Sequence, residues 1–405
     1  MRDLLTDVLV VGAGPAGSAS AALLAGRGFD VLAVDRAAFP RDKACSEYLS
    51  PEAVRVLERL GVVADLERAG ARPLAGTVVR GPRGARLHGL FAEARPRPAR
   101  PTGLSLPRRI LDARLVLAAR EAGARMHERT VLEDLLYDGG AVAGAVVRGP
   151  EGRRLVRARL TIGADGLRSL VAQRLGVRGS GRRPRRFAFV AHIEGVRDLG
   201  DSAEMHVGPE GYVGLNRIGT DLANVALVAP AGLAAPARGR AADFFFESLE
   251  RFPGVRGRVD PRRMVRSVLA TGPFAAWSRR VIADGALLVG DAADFFDPFT
   301  GEGIGAALRG SELVAEHAAE ALSAAGPVSA RRLAPYTAAR RRAFVGKWVV
   351  ERLIGYAMAW PALFDRAVDR IGRRGDMAHT LIGVTGGLVP ARAVLNPAFL
   401  ARMVL

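Results

Sequence analysis

"VLVVGAGPAGSASAALL", Val8 to Leu24, starts as an apolar run, passes through three glycines and continues as an Ala-rich stretch. A short apolar run without alternation reads as a strand buried on both faces. The Ala-rich stretch reads as a helix from about Pro15 to Arg27, with Pro15 at its first position. Gly28 and a second apolar run, "DVLAVD" (Asp30 to Asp35), follow. The whole is a βαβ unit carrying G-x-G-x-x-G on Gly12, Gly14 and Gly17, with an acid, Asp35, ending its second strand. In that context each glycine has a task. Gly12 permits the tight turn, Gly14 lets the backbone approach a pyrophosphate, and Gly17 lets helix pack against strand. The helix start offers unpaired N–H groups to phosphate, and the Asp35 carboxylate can accept from ribose hydroxyls. This loop is read as a dinucleotide site.

A second strand–loop–helix pattern lies far along the chain. "VGDAADFFDPFTGEGIGAALRG", Val289 to Gly310, follows the apolar segment from Ala286 and places Asp291 at a strand end. Its loop holds Pro298, Gly301 and Gly303, and an Ala-rich helix starts near Glu302.

The 405 residues, 49% apolar, suit two or three globular units sharing large cores. The net charge of +18 rests almost wholly on arginine, since only Lys43 and Lys347 are lysines. Its residues are scattered, with short clusters such as "RGSGRRPRRF" (Arg178 to Phe187) and no aromatic–basic alternation. Nucleic-acid binding is therefore not expected; attraction to an anionic substrate or a membrane surface remains compatible. A single cysteine, Cys45, excludes a disulfide framework and points to the cytoplasm. The chain enters a strand almost at once, so no cleavable leader is expected. The six histidines show no ligand-pair spacing, so no metal site is expected. The longest uninterrupted apolar run, "LIGYAMAWPALF", is too short to span a bilayer.

Around the βαβ unit the pattern changes twice. Short strands with tight turns occupy 77–103, and antiparallel-looking strands occupy 185–273. Between and after them, 104–184 and 274–325 return to the style of 1–76, and 326–405 reads as helical. A helix is expected at "SPEAVRVLERLG", capped by Ser50 and ended by Gly61. The expected architecture is an α/β, Rossmann-type cofactor domain, interrupted by an antiparallel-β substrate domain and closed by a helical C-terminal region.

With both glycine loops in place, the chain resembles the flavoprotein superfamily typified by p-hydroxybenzoate hydroxylase, nearest its geranylgeranyl-reductase-like branch. Between the loops, "GADGLRS" (Gly163 to Ser169) is similar to the superfamily's DG motif, which implies FAD contacts for Asp165 and Gly166. The second loop resembles its GD motif. The resemblance implies that Asp291 accepts from the ribityl and pyrophosphate side of FAD, while Pro298 and Gly301 to Ile304 lie against the flavin ring. Two cradles then serve the two ends of one long cofactor, the first from Gly12 through Pro15 and Ala16 to Gly17. "PRRILDARLVLAAREAGA" resembles the R-x-x-L-D segment, implying that Arg108 is near FAD and that Val131 meets the adenine. "FPRDKACSEYLSPEA" resembles the branch's R-x-K-x-C-G segment, with Ser46 in place of glycine, bringing Arg41 and Cys45 to the flavin; Arg36 follows Asp35 at the ribose end.

Departures shape the expected activity. The branch's substrate strand carries a Tyr-x-Trp-x-Phe-Pro-Lys-like pattern, whereas this chain reads "GYVGLNRIG", Gly211 to Gly219. The tryptophans at 277, 348 and 360 cannot form the halogenases' Trp-x-Trp-x-Ile-Pro signature. The resulting expectation is an FAD-dependent monooxygenase that uses NADPH or NADH as a transient reductant and O2 to hydroxylate an apolar aromatic or polyketide-type molecule. The alternative is a reductase of isolated double bonds in a prenyl or other lipid-like substrate. The catalytic residues are left open. Cys45 reads as packing rather than as a reactive thiol, Glu47 and Tyr48 as proton donors or as partners of the backbone, and Asp294 as the cap of a local N–H. Partners are expected to be a small apolar substrate and, peripherally, a membrane; oligomeric state is open.

Overall fold

The computed structural model describes residues 3–179, 186–237, 239–274 and 276–404. The run Leu4–Val11 forms the middle of the main sheet, with Val31–Val34 on one side and Gly152–Gly163 on the other, both parallel to it. Enclosed on both faces, it keeps no alternation, and Val8 to Val11 are all buried. Arg125–His127 extends the sheet beyond Val31–Val34; Ala286–Leu288 extends it, also parallel, beyond Gly152–Gly163. Gly152–Gly163 serves two partners. Its first half closes an antiparallel meander with Val131–Asp138 and Ala141–Gly149, and its second half joins the parallel sheet.

Helix Pro15–Ala25 is buried at every residue but one. It is wedged between helices Arg108–Glu121 and Gly303–Ser323, and its Gly, Ala and Ser residues allow that approach. The expected helix at 50–61 spans Pro51–Arg59, with Ser50 Oγ accepting from Ala53 N at 3.4 Å.

Both interruptions build a single second sheet, ordered Met264–Thr271, Arg186–Glu194, Leu222–Pro230, Gly211–Arg217, Ser202–Gly208, Gly76–Arg80 and Arg86–Leu90. Its pairings are antiparallel as expected, with one exception. Ser202–Gly208 runs parallel to Gly76–Arg80. These strands come from different interruptions, so no hairpin dictates their direction. A small sheet of Tyr48–Leu49, Gly103–Ser105 and Arg72–Leu74 joins the two halves.

Helix Ala241–Leu249 covers one face of the second sheet through Phe245 and Leu249. The C-terminal helices cover the other, where Phe364, Val368 and Ile382 pack with Val79, Val190 and Val228. Helix Ala330–Ala357 bridges both cores: Leu333 and Tyr336 belong to the main-sheet core and Val350 to the second. The boundary drawn between 184 and 185, and most of the basic cluster at 178–187, lie outside the described residues. Among the described residues, no helix is long and apolar enough to cross a membrane.

Candidate functional site

Strand register assembles the site. Val11 pairs with Val34 and with Gly163, and Gly163 pairs with Leu288. Four carboxyl ends therefore lie side by side, where open α/β sheets form their ligand crevice. The chain leaving them carries Gly12 to Gly17, Asp35, Asp165 and Asp291.

The three glycines of the first loop differ in what constrains them. Gly12 has φ +100°, and a Cβ there would lie 2.5 Å from the Ala164 carbonyl oxygen. A Cβ on Gly17 would fall 1.7 Å from the Gly12 carbonyl oxygen. Gly14 is different: the nearest atoms to its Cβ position are Nη2 of Arg41 at 3.7 Å and of Arg108 at 3.9 Å. The protein leaves that space open and points two guanidiniums at it. Arg108 is buried and held in a fork by Asp112, at 2.7 and 2.8 Å, and Arg41 reaches the same carboxylate at 3.0 Å. One buried carboxylate thus orients two arginines. Asp112 was missed as a site residue, although its i,i+4 spacing from Arg108 could have suggested it.

Asp35 accepts from Ala13 N at 2.7 Å and from Ala37 N at 2.8 Å, which fixes it against the loop with lone pairs to spare. Its carbonyl accepts from Thr130 N, so Val131, 46% exposed, stands beside it. Arg36 is exposed at the same edge. In the DG segment the Asp165 carboxylate accepts from Ser169 Oγ and Leu170 N, both at 2.6 Å, and so organises its own loop. Burial raises its pKa, against those hydrogen bonds. Gly166, at φ +80°, lies below Lys43, whose Nζ would be 3.7 Å from a Cβ there.

The second loop rests on the first. A Cβ on Gly290 would come 2.9 Å from the Ala16 methyl, and Ser311 Oγ donates to the Ala16 carbonyl at 2.8 Å. Burial raises the Asp291 pKa, while Lys43 and Arg108 pull it down. Desolvation, then the Arg108 and Arg41 guanidiniums, lower the Lys43 pKa, with the Asp291 carboxylate opposing. Asp291 therefore faces the same cleft as the cations around Gly14. Asp297 caps the turn Pro298–Thr300, accepting from Phe299 N at 3.1 Å. Gly301, at φ +72°, lies against the Tyr48 ring, and helix Gly303–Ser323 then begins. The Ile304 side chain is buried in the core with Leu308, so only its backbone is available to a ligand.

The segment 41–48 straps these parts together. Ser46 Oγ donates to the Gly301 carbonyl at 3.4 Å, and Asn224 of the second sheet donates to the Ser46 carbonyl at 3.0 Å. The half-buried Cys45 thiol accepts from Glu47 N at 3.4 Å and lies beside Arg108. Glu47, buried at φ +56°, accepts from Arg108 N at 2.8 Å and pairs with His192 at 2.7 Å. Of its two open readings, the structure shows the backbone partner, plus a histidine no local pattern announced. The Tyr48 hydroxyl instead meets Thr77 Oγ1 at 3.3 Å, a side chain, and burial keeps its pKa raised. Asp294 corrects the expectation of a local cap: it pairs with Arg340 at 2.6 Å, tying the loop to helix Ala330–Ala357. Among the described residues, no cluster of His, Cys, Asp or Glu could hold a metal ion.

The donor set fits a long dinucleotide. An uncrowded glycine faces two guanidiniums for a pyrophosphate, a fixed carboxylate serves a ribose, and a second glycine loop opens a 21-residue helix for the far end. These features define a dinucleotide-binding oxidoreductase fold. The chain belongs to the FAD binding domain family, whose model matches residues 5–352. It is an FAD-dependent oxidoreductase of the p-hydroxybenzoate hydroxylase superfamily, nearest the geranylgeranyl-reductase-like branch. It is 31% identical to digeranylgeranylglycerophospholipid reductase 2 of Methanothermobacter thermautotrophicus, over 91% of each chain. It is 35% identical to the menaquinone reductase of Mycolicibacterium smegmatis, covering 76% of this chain and 75% of that one. In fold it matches a geranylgeranyl bacteriochlorophyll reductase-like protein from Thermoplasma acidophilum, with a TM-score of 0.81, 23% identity and 99% of both chains covered.

Proposed function

We propose that this protein is an FAD-dependent reductase of isolated carbon–carbon double bonds in a prenyl or similar lipid-like substrate. The observation that carries the reading is the 31% identity, over 91% of both chains, to a reductase named for a digeranylgeranyl lipid. It favours the alternative over the hydroxylation that the sequence alone suggested. Reduction of such a bond adds two electrons and two protons, and bound FAD, once reduced, supplies the electrons. A nicotinamide nucleotide docking transiently is the proposed reductant.

The chain's own residues bind, orient and exclude water. Arg41 and Arg108, aligned by Asp112, would hold the pyrophosphate of FAD, Asp35 the ribose, and Asp291 the ribityl side. The start of helix Gly303–Ser323 would offer N–H groups to the edge of a bound flavin that gathers negative charge on reduction. The departing strand "GYVGLNRIG" still reaches this loop: Tyr212 donates to Asp297 at 2.6 Å, and Arg186 pairs with the same carboxylate at 2.8 Å. Tyr212, Phe299 and Phe364 meet edge to face, and Phe274 lies against Phe295, so a packed apolar core backs this loop.

The test is anaerobic. Holoenzyme is reduced with a measured equivalent of dithionite, and a geranylgeranyl lipid or prenylated quinone is added while the flavin absorbance is followed. Substrate-dependent reoxidation without O2 is expected; a flavin that stays reduced until O2 is admitted overturns the proposal.

A further inference from the structure

We infer that the outer face of helix Ala330–Ala357, with the turn after it, is a docking surface for an anionic lipid bilayer. Val345, Val349, Leu353 and Tyr356 are exposed at spacings of four, four and three residues, which places them along one side of the helix. Trp360 and Leu363 continue the apolar surface past the helix end; Tyr356 is 73% exposed and Trp360 69%. A run of large apolar residues left to water marks an interaction site.

Charge identifies the occupant. Arg341 and Arg342 project from the same side of the helix, and Arg331 lies nearly three turns earlier on it. Arg341 and Arg342 have no ion-pair or hydrogen-bond partner among the described residues, and Arg352 lies over the Phe296 ring at 4.6 Å. The helix has one carboxylate, Glu351, and it is turned inward, accepting from Thr300 Oγ1 at 3.1 Å. In the next helix Asp365 accepts from Arg83 N, and Asp369 pairs with Arg373. Apolar side chains flanked by arginines, with Trp and Tyr among them, suit the boundary between headgroups and acyl chains. A second copy docking through the same face would oppose arginine to arginine. The +18 charge of the whole chain adds long-range attraction to an anionic surface.

The inward side of this helix gives the surface its use. Arg340, Phe344, Lys347, Trp348 and Glu351 line a cavity against the second glycine loop. One helix therefore carries the bilayer-facing residues on one side and touches the flavin loop with the other. A lipid-like substrate would have a short route from membrane to site.

The experiment reads docking without any reaction. Holoenzyme is floated with vesicles of phosphatidylcholine alone, or of phosphatidylcholine and phosphatidylglycerol in equal parts, neither containing a prenyl substrate. A failed reductase assay therefore leaves this result standing, and the reverse also holds. Flotation with the anionic vesicles only, weakening with salt, is expected. Arg341→Ser with Arg342→Ser should lower partitioning about fivefold for each arginine removed. Tyr356→Ser, Trp360→Ser and Leu363→Ser together should lower it by at least about tenfold. FAD content and helicity should stay at wild-type levels, because these side chains are exposed. Absence of binding to anionic vesicles, or equal binding to neutral ones, overturns the inference. So does self-association of the wild type that the triple variant abolishes, which would assign the face to a second copy.

Discussion

Gly14→Ala should weaken cofactor binding while leaving the fold intact. Gly14 sits at φ −72° and ψ −174°, an extended conformation open to any residue. Its Cβ would meet nothing closer than a guanidinium at 3.7 Å, an ordinary contact. The apo protein should therefore melt within about 0.5 kcal/mol of wild type. The added methyl instead occupies the space over which the two arginines converge, where the pyrophosphate must approach the backbone. Losing a hydrogen bond to a charged group costs about 2–3 kcal/mol, roughly thirty- to a hundredfold in Kd. Gly17→Ala is the control with opposite behaviour. Its methyl would fall 1.7 Å from the Gly12 carbonyl oxygen, so the helix must move off the strand, at about 3 kcal/mol of stability. FAD titration of apo protein by fluorescence quenching, beside thermal melts of the same samples, separates the two. A Gly14→Ala protein that binds FAD as wild type does would refute the assignment of that space to the pyrophosphate.

Asp112→Asn leaves two guanidiniums without their shared buried counter-charge, and should cost about 3–5 kcal/mol of stability, read by urea denaturation. Asp291→Ala removes an acceptor from the flavin half and should raise the FAD Kd about ten- to a hundredfold, read in the same titration. Glu204 provides a pH test. Burial alone would raise its pKa, but hydrogen bonds from His206 and Arg258 outweigh it and hold the carboxyl down at about 2, well below the usual carboxylate range. The folded value is depressed, so the stabilisation is complete above about pH 4.5 and is lost as the pH falls towards 2. Glu204→Gln should be less stable at neutral pH and show a flatter acid limb; parallel acid limbs in urea-melt series would contradict this.

What the sequence disclosed was local. The βαβ unit, the strand-to-helix passage at Val289 to Gly310 and the helix opened by Ser50 and Pro51 each lie within some thirty residues, where spacing and special residue types act directly. What it withheld was pairing across distance. Nothing near Asp294 announces Arg340, nor anything near Glu47 its His192, because such partners are set by how separate elements dock. The parallel pairing of Gly76–Arg80 with Ser202–Gly208 escaped notice for the same reason. Asp112 lies between the two cases. Its spacing from Arg108 was visible, but that it would also capture Arg41 depended on the fold of the strap at 41–48. The choice between hydroxylation and reduction has no local signature at all, since one superfamily fold serves both chemistries.

The most direct test of the reductase reading is the mass of the product. Holoenzyme, an electron donor and a geranylgeranyl lipid are incubated in parallel under strict anaerobiosis and under isotopically labelled O2. The expected product is two hydrogens heavier than the substrate, carries no label, and forms without O2. A product that forms only with O2 and retains one labelled oxygen atom would contradict reduction and establish hydroxylation instead.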